Sequence, residues 1–370
     1  MRARGRLVLL VLAALAPAAR GALAQPACSG NEQPMAWPDV DPVWQFCWLR
    51  PQDSSGQNGS GLEVANVYFN GYLVMKRGHV PIVNVLYPSG GCGGCYRDWM
   101  FTERGFLANN VVSAGYAEPT PPCPQTVCEL GALMGDCPNL GPPDTCSSPV
   151  CFEGVAAEKL ADRLVLTTQT SAGWYRYTMK WTFHLDGRIE PIIGYTAVNN
   201  PCPTLTHLHH AYWRFDFDID GPANDVVTEG PNPAVPGGRS GPRYPIVSLP
   251  TEAIRRMNQP AITWSVADSG THRGYRLVPG AETALPADSF SVGDVWLLKY
   301  RSDEIDDAGQ SGPACAIKFN NFLNGEGLAT DLVLWYRTGA YHAGSENDDC
   351  ETVGPTLVPF GDWTPPGGMR

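Results

Sequence analysis

The chain has 370 residues, with 26 lysines and arginines against 37 aspartates and glutamates, and 43% of its residues are hydrophobic. Setting aside a basic leader over residues 1–24, which holds four of the arginines, leaves 22 basic against 37 acidic residues, a formal charge of −15. That balance speaks against nucleic acid and against an anionic membrane as partner. Forty glycines and 34 prolines between aromatic and β-branched runs point instead to many strands joined by turns.

Residues 1–24 read as a signal peptide. Arg2, Arg4 and Arg6 form a basic start, an apolar run extends from Leu7 to Pro17, and Ala22-Leu23-Ala24 supplies small residues before Gln25. The run is too short for a membrane span. The expectation is a secreted protein, extracellular or periplasmic, whose residues 25–370 form one domain. All 12 cysteines follow the leader, so disulfides are the default in an oxidising compartment.

Trp44, Phe46 and Trp48 mark the first predicted strand. Leu62 to Phe69, an Asn70-Gly71 turn and Tyr72 to Lys76 form a predicted hairpin, followed by a strand from Val80 to Leu86. Residues 88–151 differ in character, with Cys92-Gly93-Gly94-Cys95 and five further cysteines in a proline-rich stretch. A zinc ribbon needs a second C-x-x-C pair, which is missing, so the stretch reads as a disulfide-stapled excursion. Strands resume at Leu164–Thr168, Trp174–Phe183 and Ile189–Tyr195, with Asp186-Gly187 as a turn. After a Pro/Gly loop from Gly230 to Tyr244 comes a short predicted helix, Thr251–Asn258. Strands at Ile262–Val266, Tyr275–Val278, Val295–Tyr300 and Asp331–Tyr336 complete the set. The class is all-β, a large antiparallel β-sandwich.

The stretch from Thr206 to Gly221 reads T-H-L-H-H-A-Y-W-R-F-D-F-D-I-D-G. In a strand, residues two apart share a face. His207 and His209 then point at one site, and Asp216 and Asp218 at another. Imidazole pairs suit copper, zinc, iron or nickel, whereas paired carboxylates suit calcium, magnesium or manganese. The spacing specifies neither the metal nor the third ligand, and a wet polar strand face is the plain alternative. His79, His184, His210 and His272 read as structural or surface residues.

These residues resemble the catalytic domain of the copper-containing, topaquinone-dependent amine oxidases. That family places an H-x-H ahead of an R-x-D-x-D-x-D-G strand, as at His207, His209 and Arg214 to Gly221. Its cofactor tyrosine precedes an aromatic strand and a D-G-x-I-E turn, matched by Tyr175, Trp181, Phe183 and Asp186 to Glu190. Its third copper histidine follows a strand like Asp331 to Trp335, which points to His342. The resemblance implies copper on His207, His209 and His342, and a quinone made from Tyr175. It implies a second, calcium-like site on Asp216, the Phe217 carbonyl, Asp218, Asp331 and the Leu332 carbonyl. Tyr87 matches a tyrosine that hydrogen-bonds the cofactor. The implied activity is oxidation of a primary amine by O2 to aldehyde, ammonia and hydrogen peroxide, in a homodimer for which Gly230–Tyr244 is a candidate arm.

The resemblance covers about residues 44–350, and the smaller N-terminal domains of many members have no counterpart in it. Three positions depart from the pattern. Trp174 stands for the Asn before the cofactor tyrosine, and Arg176 for the acid after it. Thr102 stands where the catalytic aspartate belongs, leaving Asp98 and Glu103 as the nearby carboxylates, with Asp98 the candidate base. A non-catalytic copper-binding protein on the same fold is the alternative reading.

Overall fold

The computed structural model describes residues 26–56, 58–88, 92, 94–104, 111–112, 116–117, 154–197, 205–232, 245–256, 262–280, 288, 291–305, 315–342 and 351–366. The leader, most of the cysteine-rich excursion and residues 233–244 of the candidate arm lie outside the described residues. Among the described residues, no helix is long and apolar enough to cross a membrane.

The strands form two sheets, of nine and twelve strands among the described residues. One is centred on Tyr72–Leu86, His207–Phe217 and Leu332–His342, with neighbours antiparallel. The other is centred on Arg163–Ala172, Tyr175–His184 and Ile189–Ala197. The faces that meet are aromatic. Phe46 stacks on Phe183 at 4.5 Å, Trp44 meets Phe183 edge-on at 5.1 Å, and Trp181 meets Trp213 edge-on at 5.7 Å. Burying side chains of this size dominates core energetics, so a sandwich follows from the alternation of each strand.

The predicted Asn70-Gly71 turn is present, with φ of +51° and +84°, as a two-residue hairpin with both central residues left-handed requires. The strands predicted at Tyr72–Lys76 and Val80–Leu86 are one, Tyr72–Leu86. Two register irregularities against His207–Phe217 fall on either side of Gly78, where a Cβ would lie 2.7 Å from Trp181. The late strand runs beyond the predicted Tyr336, without a break, to His342. The helix predicted over Thr251–Asn258 is wrong. Ala253–Arg255 is a strand paired with Val295–Leu297, because tertiary pairing outweighs weak local helix propensity.

Two disulfides lie within the described residues, Cys28–Cys47 and Cys95–Cys315, and Cys92 is also disulfide-bonded. Cys95 of the C-x-x-C therefore links to a residue 220 positions away, outside the excursion itself. Thiol titration of the unfolded, unreduced protein should find few of the 12 cysteines free. A majority of free thiols with stoichiometric zinc would contradict the oxidised framework.

Candidate metal centre

The register of two central strands assembles the histidines. His207 lies directly opposite His342, and His209 opposite Ala340. Alternation turns His207 and His209 into the space between the sheets, together with Ala211, Trp213 and Phe215, which enter the core. All three imidazoles are nearly fully buried, at 1–3% exposure. Their ligand atoms lie within 4.8 Å of one another, with His209 Nε2 3.2 Å and His342 Nδ1 3.0 Å from His207 Nε2.

The hydrogen bonds on the far sides of the rings set the tautomers. His207 Nδ1 donates to the Leu205 carbonyl at 2.7 Å, and His209 Nδ1 donates to Tyr177 Oη at 3.0 Å. Both Nε2 atoms then direct lone pairs at the same point. Burial, reinforced by the neighbouring histidines, lowers the His209 pKa well below its ordinary value, so the ring is neutral. Ligand nitrogens about 2.0 Å from one metal ion stand about 3.0–3.4 Å apart at ordinary bond angles. The donor set therefore fits a transition metal, and imidazole donors suit copper.

Tyr175 enters from the facing sheet. Its Oη lies against Nε2 of His207 and 2.8 Å from Nδ1 of His342, and 3.3 Å from Tyr87 Oη. Burial, with help from the Tyr87 contact, pushes the Tyr175 phenol far above its usual pKa, so it is neutral here. Tyr87 stacks on His207 at 4.1 Å, and the Trp174 indole N–H donates to Tyr87 Oη at 3.3 Å. Trp174 is thus joined to Tyr175 through one tyrosine.

Asp98, on Cys95–Asp98, accepts a short hydrogen bond from Tyr177 Oη. Burial lifts its pKa to about 7, against the opposing effect of that bond. Tyr177 is the residue that sequence reasoning missed. It follows Tyr175 by two positions and joins Asp98 to His209 in one relay; the shared strand face was the available signal. Glu103 has a different job, since Arg50 grips it through Nε at 2.9 Å and through a guanidinium nitrogen. His210 bonds Arg337, His184 bonds Glu190, His79 lies 3.4 Å from Glu63, and His272 occupies a left-handed turn position.

The second predicted constellation also comes together. Carboxylate oxygens of Asp216, Asp218 and Asp331 lie within 4.8 Å of one another, and Phe217 is directly opposite Leu332. Oδ1 of Asp216 and of Asp218 are buried and accept no hydrogen bond from the described residues. Burial, then Asp216 and Asp331, raises the Asp218 pKa to about 7. Arg214 offsets part of the charge through Asp216 Oδ2 at 3.3 Å.

A family model, "Copper amine oxidase, enzyme domain", matches residues 195–360. The chain is 24% identical over 233 residues to the primary amine oxidase of Arthrobacter sp. (strain P1), covering 51% of this chain and 36% of the relative. It is 26% identical over 246 residues to the histamine oxidase of Arthrobacter globiformis, covering 54% and 36%. These alignments take in about a third of each relative's length. Among solved structures, Pichia pastoris lysyl oxidase superposes with a TM-score of 0.55 at 15% identity, covering 86% of this chain and 51% of that one. Aspergillus nidulans amine oxidase gives 0.54 at 17% identity, covering 94% and 57%. With the sandwich and the three converging histidines, these matches make residues 195–360 similar to the enzyme domain of the copper amine oxidases.

Proposed function

We propose that the protein is an exported copper amine oxidase that converts a primary amine and O2 to an aldehyde, ammonia and hydrogen peroxide, with Tyr175 as the source of topaquinone. The observation that carries this reading is the position of the Tyr175 hydroxyl, in contact with two of three converging imidazoles. When present, copper supplies oxygen activation and the quinone supplies an electrophilic carbonyl and an electron sink.

The chain's own residues do the rest. His207, His209 and His342 hold the metal through neutral imidazoles. Tyr87 and Trp174 steady the Tyr175 ring through one hydrogen-bonded row. Asp98 is the base that takes the substrate proton, and its raised pKa suits a proton acceptor near neutral pH. The three imidazoles and the Tyr175 ring are buried, at 1–3% exposure, which keeps bulk water from the centre.

Asp216, Asp218 and Asp331, with the Phe217 and Leu332 carbonyls, hold a calcium-like ion that supports the fold. Burying three carboxylates without a cation costs several kcal/mol or forces protonation. A chelator should therefore lower the melting temperature by several degrees, and less so in Asp331→Ala. The sign with pH follows from the raised Asp218 pKa. The stripped native state holds protons that the unfolded chain loses above about pH 4, so its stability falls as pH rises toward 7. The gap between loaded and stripped protein should widen from pH 5 to 7.5. Identical melting curves after verified ion removal would count against the site. The same reading has the protein acting as a secreted homodimer.

The direct test is aerobic copper reconstitution, phenylhydrazine labelling and mass analysis of the peptide containing Tyr175. A labelled, oxidised residue is expected. An unmodified tyrosine in fully copper-loaded protein would leave a non-catalytic copper protein as the better account.

A further inference from the structure

Arg176 points away from the histidine centre. Tyr175 and Tyr177 face the space between the sheets, so alternation sends the side chain between them to the opposite face. There Arg176 lies directly across from Ser171, and Thr178 across from Gln169. The face is polar yet buried: Gln169, Thr178, Ser171 and Arg176 are each 0–8% exposed.

A second cation joins this row. Arg104 Nε donates to Ser171 Oγ at 2.9 Å, and the Arg104 backbone N–H donates to the Gln169 carbonyl at 3.0 Å. Arg176 spends one guanidinium nitrogen on the Tyr175 carbonyl at 3.0 Å, while its buried Nε has no hydrogen-bond partner. Among the described residues, no carboxylate pairs with either arginine. Burial, and after it the neighbouring Arg104 charge, lowers the Arg176 pKa to about 10.

A buried guanidinium beside another cation is costly unless an anion offsets both. Guanidinium forks suit planar or tetrahedral oxyanions, and the Ser171 hydroxyl, accepting from Arg104, still has its own hydrogen to donate. We propose that Arg104, Ser171 and Arg176 form a binding site for a small oxyanion on the back of the Tyr175–His184 strand. The bound anion accepts from Arg176 Nε and from the Arg104 guanidinium. Because Arg176 also holds the Tyr175 carbonyl, the anion fixes the backbone behind the metal centre. The site does not depend on the amine oxidase reading, nor on copper.

The probe is inorganic phosphate at constant ionic strength, followed by calorimetry and by melting temperature. Wild-type protein should bind one phosphate per chain, with a melting temperature that rises with the logarithm of its concentration. Arg104→Gln, at a partly exposed position, should fold and lose affinity at least tenfold. Arg176→Glu places an acid beside Arg104. It should melt at or above the wild-type temperature in phosphate-free buffer, and lose the phosphate dependence. Absence of binding to wild type, or equal phosphate stabilisation in wild type and both variants, would overturn the proposal.

Discussion

Asp98→Asn will keep its copper and form the quinone, yet turn amine over roughly 10²–10⁴-fold more slowly, the range a positioned base contributes. Asparagine preserves the shape and can still accept the hydrogen bond from Tyr177, but it cannot take a proton. Wild-type activity should rise with pH through about 7, where Asp98 ionises, and level off above it. The stability term has the opposite sense. With a native pKa above the unfolded value, Asp98 keeps its proton in the folded state between about pH 4 and 7. Its contribution therefore weakens as pH rises through that window, and the asparagine variant should lose this slope. Copper content must be measured on the same sample, because Asp98 also supports His209 through Tyr177. A variant with wild-type kcat and an unchanged pH profile would remove Asp98 from the chemistry.

His342→Ala should fold, since the strand carrying it is paired on both sides over much of its length, yet bind copper far more weakly. Loss of a partner outside the coordination sphere typically weakens metal binding by roughly 10–100-fold. Loss of a ligand should exceed that. The remaining pair, His207 and His209, sits on one strand and can still hold an ion loosely, so metal analysis after dialysis against a weak chelator is the decisive measurement. Full occupancy under those conditions would show that the third ligand lies elsewhere. Circular dichroism in the aromatic region separates metal loss from unfolding.

Part of the histidine triad was legible because strand geometry is periodic: His207 and His209 had to share a face, as did Asp216 and Asp218. His342 and Asp331 came only from the family resemblance, because the partner strand that brings them opposite lies more than 100 residues later. What escaped notice was contributed by segments distant in sequence. Tyr177 looked like one more core aromatic, because its polar partner Asp98 sits on a four-residue strand 79 positions earlier. Glu103 stood beside Asp98 as the second nearby carboxylate, and its partner Arg50 lies 53 positions earlier in the chain. The Thr251–Asn258 segment read as helix on local preference, whereas three of its residues complete a sheet edge against Val295–Leu297. Arg176 was visible only as a mismatch to a family pattern; the second arginine beside it comes from beyond the cysteine-rich stretch's entry strand.

The Cys95–Cys315 bridge gives the candidate centre a point of insulation. Cys95–Asp98 is a short strand whose only sheet neighbour among the described residues is Tyr72–Leu86, so pairing alone holds it weakly. The bridge fastens its first residue to a segment on the far side of that sheet, three residues ahead of Asp98. Five residues beyond Asp98, Glu103 bridges to Thr170 in the other sheet. Asp98 is thereby held between a covalent tie on one side and a bridge to the facing sheet on the other, so the reach of its carboxylate to Tyr177 does not rest on strand pairing alone.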